Sequence, residues 1–319
     1  IASWVRADRR AGAMVSDRED ADTPEIEEPD TEPVPEEKVS DRLAALGPVE
    51  GEGLSREDQV RVRLARGDLL SEMGLVERAL RDYREAARLN TSPRNRRLVA
   101  DSYFAMGLPQ QAFRTYKKAL RLDPNDPESH LHMAEFLRSM GRTAWAIEEF
   151  EVAAELDPSN AYYRLRLGEA LLTMGRTSEA VDALRESVRL DPQTAYHRFR
   201  LANALMRQSD TAAAATELDV AVALEPVDDY YLALLAMCYQ MLERPTDAVG
   251  ALLQAVRVRP KNRAYRYLLA EALEDLGMTQ EAAPHRSRAV DLDEYDRDYI
   301  QRLQAKVLQE SDWERPNWG

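Results

Sequence analysis

The sequence predicts an all-α fold, a solenoid of stacked helical hairpins, on two observations. One is a recurrence every 34 residues; the other is a pair of helix-spaced apolar stretches inside each recurrence. Residues 174–192 read MGRTSEAVDALRESVRLDP, and 34 residues upstream the chain reads MGRTAWAIEEFEVAAELDP. Pro124, Pro158, Pro192, Pro226 and Pro260 keep the same beat. So do Gly107, Gly141, Gly175 and Gly277, with Ser209 and Glu243 standing in the intervening slots and Gly74 one residue off. A fixed period of this length marks units that bury their apolar faces only against one another.

The unit at 161–194 shows what each recurrence contains. Leu165, Leu167, Leu171 and Leu172 give helical spacing up to Met174 and Gly175. Ala180, Val181, Leu184, Val188 and Leu190 give a second helix, which Pro192 terminates because it lacks an N–H and clashes with the preceding turn. Gly168 and Ala180 occupy positions where the two helices must approach closely; a larger side chain there would overpack by about 1–3 kcal/mol. Equivalents recur along the chain. Gly67, Ala100, Ala134, Ala202, Ala236 and Ala270 fill the first slot, and Ala79, Ala112, Ala146, Ala214, Ala248 and Ala282 the second.

This pattern resembles the tetratricopeptide repeat family, a 34-residue helix-turn-helix with those small positions, a closing proline, and an aromatic residue or leucine in the second helix. Tyr83, Tyr116, Phe150, Leu184, Leu218 and Leu252 fill that last slot here. The resemblance covers residues 60–296 and implies a right-handed α-solenoid of about seven such hairpins, at about 60–92, 93–126, 127–160, 161–194, 195–228, 229–262 and 263–296. The pattern departs at its ends, with Thr91 for the first proline, Glu294 for the last, Arg286 at the aromatic slot and Pro284 inside the last second helix, so that hairpin is expected to be bent or short. Residues 55–296 are read as the solenoid, opening on Ser55 with Asp58 three residues on, a capping-box-like start. Residues 297–319 are read as a capping helix, with Tyr299, Ile300, Leu303 and Val307 on one face, and a tail bearing Trp313 and Trp318.

Residues 1–54 have a different composition. Between 17 and 58 there are 16 acidic against 4 basic residues, a net of −12 out of −14 for the whole chain, and the Pro- and Glu-rich stretch DADTPEIEEPDTEPVPEEK has no helical or strand period. Such a segment buries too little apolar surface to offset its ordering entropy, so a disordered acidic tail and linker is expected, with a helical turn or two at 40–47. The start IASWVRADRR reads either as the end of an anchor or signal helix upstream of Ile1 or simply as where this chain begins. Localisation therefore stays open between cytoplasmic and membrane-tethered.

The resemblance also implies a working surface. By the family's geometry the second, fifth, ninth and twelfth residues of each unit face a groove. The second position gives Arg61, Arg94, Glu128, Tyr162, Tyr196, Tyr230 and Ala264, with the three tyrosines in adjacent repeats. Leu165, Leu172, Phe199, Met206 and Tyr267 come from the fifth and twelfth, and Asp68, Asp101, Glu135, Glu169, Asn203, Met237 and Glu271 from the ninth. The candidate partner-binding groove is thus Tyr162, Leu165, Glu169, Leu172, Tyr196, Phe199, Asn203, Met206, Tyr230, Met237, Tyr267 and Glu271. Such a lining suits a protein segment with apolar anchors and basic flanks; the tyrosines also read as fillers between successive hairpins. The family's carboxylate-clamp lining of Lys and Asn is absent, with Arg97 set beside Asp101.

Other chemistries find little support. The net charge disfavours nucleic acid. His130 and His132 lie about 200° apart around a helix and cannot share a metal; His197 and His285 lack a recognisable nucleophile; Cys238 sits on an apolar face. Neither catalysis, metal nor cofactor is expected. Arginine supplies 38 of the 43 basic residues, as high-GC bacterial coding would; Arg96, Arg164, Arg198 and Arg266 recur at one slot and are expected to pair with acids of adjacent helices. The reading is a non-catalytic scaffold or adaptor that holds a partner segment within a larger complex. The alternative is an accessory assembly subunit of a membrane-associated enzyme or secretion complex.

Overall fold

A computed structural model of the chain describes residues 42–46, 54–290 and 294–308. The expectations for the acidic tail and for Trp313 and Trp318 lie outside these residues; within the first segment a helical turn occupies 42–44. From residue 54 on, every described regular element is an α-helix, and the helices come in pairs of first and second members. They are α1 (Arg56–Glu72) and α2 (Val76–Leu89), α3 (Pro93–Ala105) and α4 (Pro109–Leu122), α5 (Pro127–Ser139) and α6 (Thr143–Leu156), α7 (Ala161–Thr173) and α8 (Thr177–Leu190). Then follow α9 (Ala195–Arg207) and α10 (Thr211–Leu224), α11 (Asp229–Met241) and α12 (Pro245–Val258), α13 (Arg263–Asp275) and α14 (Thr279–Arg288), and a single α15 (Glu294–Leu308). Two compact units, Ile1–Met133 and Ala134–Gly319, divide the chain within α5. In the first, α1 packs on α2, α2 on α3 and α3 on α4; in the second, each helix from α6 to α14 packs on the next.

Local sequence sets the helix ends. Ser55 caps α1, its hydroxyl accepting from the Asp58 N–H at 3.1 Å and donating to the Asp58 carboxylate at 2.7 Å, so the expected reciprocal box closes through side chains. First helices end in a left-handed residue followed by a bond from the next N–H back to the carbonyl five residues earlier, as in Arg142 to Leu137 at 2.8 Å and Arg176 to Leu171 at 3.0 Å. Gly74, Gly107, Gly141, Gly175 and Gly277 supply that positive φ, which explains their regular spacing. Ser209 and Glu243 adopt it too, at φ 67° and 56°, because the same bonds, Asp210 to Leu205 and Arg244 to Tyr239, are made at 2.9 Å.

Close approach of the helices holds each hairpin together. Ala79, Ala112, Ala146, Ala180, Ala214, Ala248 and Ala282 are all completely buried. A Cβ added to Gly168 would stand 2.5 Å from the Leu184 Cγ and 3.3 Å from the Ala180 carbonyl oxygen; at Gly67 it would stand 2.4 Å from the Tyr83 ring. The large residue of the second helix therefore lies directly over the small residue of the first. Tyr83, Tyr116, Phe150, Leu184, Leu218 and Leu252 all sit in this layer, each 4% exposed or less. The last hairpin differs as Pro284 implies: α14 runs only from Thr279 to Arg288, and Arg286, at the aromatic slot, turns outward to Glu274.

The terminal helix α15 packs on α13 of the last hairpin and also on α11 and α9, so it crosses three successive first helices. Ile300 and Leu303 are buried on its inner face.

Backbone strain at Glu243 gives a direct test. A non-glycine residue in the left-handed region costs on the order of 1 kcal/mol. Glu243→Gly is expected to raise the free energy of unfolding by about 0.5–1 kcal/mol in urea titration, whereas the same substitution at the helical Glu217 should lower it.

Candidate protein-binding site

The structure places the candidate groove residues at very different depths. Tyr162 is exposed at 39%, and Tyr196, Tyr230, Tyr267 and Glu271 are half-buried. Leu165, Glu169, Leu172, Phe199, Asn203, Met206 and Met237 are buried. Burial has two sources, a charged ladder towards α5 and an aromatic cluster beneath α15.

Phe199 is the centre of the aromatic cluster. Its ring lies 5.1 Å from Tyr231 in a stacked arrangement, 5.8 Å from Tyr230 edge-on and 6.0 Å from Tyr196. The tyrosines at the second position of adjacent repeats are thus bridged by the fifth-position ring between them. Further along, Tyr265 donates to Asp229 at 2.7 Å, leaving its oxygen to accept from the Tyr299 hydroxyl of α15, also at 2.7 Å; the two rings are 5.9 Å apart. Arg263 pairs with Asp296 of α15 at 3.1 Å. Burial and the nearby Tyr299 oxygen push the Tyr230 hydroxyl above its usual range.

The charged ladder follows a second periodicity, 31 residues long. The sixth residue of one repeat reaches the ninth-position acid of the repeat before it: Arg166 contacts Glu135, and Arg200 contacts Glu169 at 2.8 Å. Arg166 is buried and also binds Glu169, while Glu135 receives Arg138 at 3.0 Å and Glu169 receives the Tyr196 hydroxyl at 3.0 Å. Burial alone would raise the Glu135 carboxyl, but Arg166 and Arg138 hold it below the usual carboxylate range. Burial would likewise disfavour the Arg166 cation, and Glu169 with Glu135 reverses this and holds it firmly charged. The same relation appears in the first unit, where His132 meets Asp101 at 3.2 Å; burial opposes the imidazolium, yet Asp101 lifts its pKa above the ordinary value.

Several sequence expectations are corrected by this ladder. Asp101 takes the Tyr116 hydroxyl at 2.5 Å and His132, while Arg97 pairs with Asp126 instead. Of the expected arginine series, Arg198 does pair with an acid of the adjacent helix, whereas Arg266 turns to a backbone carbonyl. Arg198 binds Glu217 of its own hairpin at 2.8 Å and the Pro192 carbonyl, and Arg266 binds the Pro260 carbonyl at 2.9 Å. The ladder lies two residues further on, at His132, Arg166 and Arg200, and its signal in the sequence was the 31-residue spacing from acid to base.

The remaining reactive groups are embedded. Cys238 is fully buried with its Sγ 3.7 Å from the Met206 sulfur, and burial pushes the thiol up to about 12. His197 sits 3.1 Å from the Ser187 hydroxyl, which donates to the Ala161 carbonyl, and burial lowers its pKa. His130 rests against the Pro124 carbonyl. Among the described residues no cluster of His, Cys, Asp or Glu is placed to hold a metal ion, and no helix is long and apolar enough to cross a membrane.

With the geometry in view, the chain can be set beside known proteins. The model of the cilia and flagella-associated protein 70 C-terminal domain matches residues 37–303. Among curated proteins none matches in sequence. Similar solved structures include a tetratricopeptide repeat-containing protein from Cytophaga hutchinsonii, 14% identical over 77% of this chain and 96% of that one, with a TM-score of 0.57. Another is PilF of Pseudomonas aeruginosa, 21% identical over 68% and 99%, with a TM-score of 0.55. A third is YrrB, described as a TPR protein with an unusual peptide-binding site, 18% identical over 60% and 97%, with a TM-score of 0.50.

The ladder makes a measurable claim. Arg166→Leu leaves the buried Glu169 and the half-buried Glu135 with only Arg200 and Arg138 as cationic partners, and is expected to cost about 2–4 kcal/mol in guanidinium denaturation. Arg166→Leu/Glu135→Leu/Glu169→Leu should recover much of that loss. An unchanged denaturation midpoint in the single variant would show that the buried pairs are absent in solution.

Proposed function

The chain belongs to the family of the cilia and flagella-associated protein 70 C-terminal domain, built of tetratricopeptide hairpins, and on that premise we propose that it is a non-catalytic scaffold. It holds a segment of another protein along the row of first helices in its second unit. The observation that carries this reading is the aromatic series Tyr162, Tyr196, Tyr230 and Tyr267, one on each successive first helix and all exposed or half-buried. Aromatic side chains supply large contact area at modest entropic cost, which suits a docking surface better than a solvated one. The fold that the chain shares with YrrB is one on which a peptide-binding site is described, and this supports the same use here.

The partner segment is read as one with apolar anchors. Basic flanks lose much of their rationale, since Glu135 and Glu169 are engaged by Arg166, Arg138 and Arg200. The neighbouring Glu271 holds the Tyr267 hydroxyl above its usual range, and the Tyr267 ring carries Arg286 at 4.8 Å. What remains for recognition is aromatic surface with a few hydrogen-bonding tips.

Tyr162→Ala/Tyr267→Ala changes this surface without touching the Phe199 cluster. Truncating anchors typically costs about 2 kcal/mol or more of binding, about thirtyfold in affinity. Capture of the binding protein from the native source should fall accordingly while the melting temperature of the variant stays within about 3 °C. Undiminished capture by this folded variant would contradict the docking assignment.

A further inference from the structure

The aromatic section of this row is already covered by a helix of the same chain. α15 lies across α9, α11 and α13, sets Tyr299 against Tyr265, pairs Asp296 with Arg263 and buries Ile300 and Leu303. Asp296, Tyr299, Ile300 and Leu303 fall on one face of a helix, since spacings of three, four and seven residues return to the same side. The contacts thus define what this surface accepts: an amphipathic helix with an aromatic-aliphatic stripe and an acid one turn before it.

We propose that this row is a helix-docking surface whose external ligand is an amphipathic helix of that same pattern, and that α15 is its resident occupant, displaced when the ligand binds. The inference rests on the docking assignment above and deepens it by naming the ligand's chemistry. The connection between α14 and α15 is short, so the tethered helix competes at an effective concentration on the order of millimolar. An external helix must therefore overcome a penalty that opening mutations remove. Glu135, Arg166 and Glu169 lie on α5 and α7, whereas α15 packs on α9, α11 and α13.

The test uses the full chain and a fluorescent synthetic peptide of residues 294–308. In fluorescence anisotropy the peptide should bind an Ile300→Asp/Leu303→Asp chain at least thirtyfold more tightly than the wild-type chain. A peptide carrying the same two substitutions should bind neither. Leu303→Ala, a milder change, should give an intermediate affinity and covers the case in which the double variant loses its cooperative melt. Equal binding to wild-type and opened chains, or no binding to an opened chain that still melts cooperatively, would overturn the proposal. A concentration-dependent dimer of the wild-type chain that dissociates in the opened variant would overturn it as well, since α15 would then sit on a second copy. These outcomes separate from the docking assignment: if capture of the native binding protein is lost in Tyr162→Ala/Tyr267→Ala yet unchanged by opening, the docking surface stands and displacement by a like helix falls.

Discussion

A helical hairpin of this kind closes only where the two helices can touch, and everything else in the molecule depends on that contact. The crossing is made by residues without bulk, Gly168 against Ala180 and their equivalents, because a Cβ at Gly168 would collide with Leu184 and approach the Ala180 carbonyl. The large residue four positions beyond the alanine then has one place to go, over the small residue of the first helix. Its identity decides what happens next. Where it is tyrosine, as at Tyr83 and Tyr116, the hydroxyl reaches the ninth-position Asp68 or Asp101 of its own hairpin. Where it is Phe150 or Leu184 no hydroxyl is available, the acid is a longer glutamate, and an arginine from the next repeat supplies the donor instead.

This alternation grades the face made by the first helices. At Glu135 and Glu169 the ninth-position carboxylates are held in ion pairs with Arg166, which fix the register of neighbouring hairpins more than they add stability. From α9 onward the ladder stops: Asn203 and Met237 replace the acids on α9 and α11, and Leu234 and Leu268 replace the bases at the sixth position, so that Glu271 has no arginine at that place in its own repeat. The surface turns aromatic there, and α15 covers it. The chain's own helix therefore lies where the polar ladder ends, across α9, α11 and α13.

Most of this fold was legible in the sequence because its causes are local and repeat. Glycine at the left-handed turn, proline after the second helix and alanine at the crossing each impose one residue type at one position, so a 34-residue period records them. Glu243 was legible as a missing glycine, though not as a strained one. The site was less legible for two physical reasons. Family geometry says which residues face the groove but cannot say which of them are consumed by neighbours, so Glu169 looked like a groove acid when it is the meeting point of Arg166, Arg200 and Tyr196. The placement of α15 depends on tertiary contacts between residues about 35 to 100 apart, and its apolar face in sequence is compatible equally with capping the last hairpin and with crossing three of them.

Amide hydrogen exchange of the unmodified full chain, followed by mass spectrometry, tests the central claim most directly. If α15 is docked on the row of first helices, backbone amides across 294–308 open only by local unfolding, and they should exchange within an order of magnitude of those in α13, many hundredfold slower than an unstructured peptide. Exchange of 294–308 at the rate of the free synthetic peptide, with α9 and α11 still protected, would show that the aromatic surface is uncovered in solution and would contradict the account.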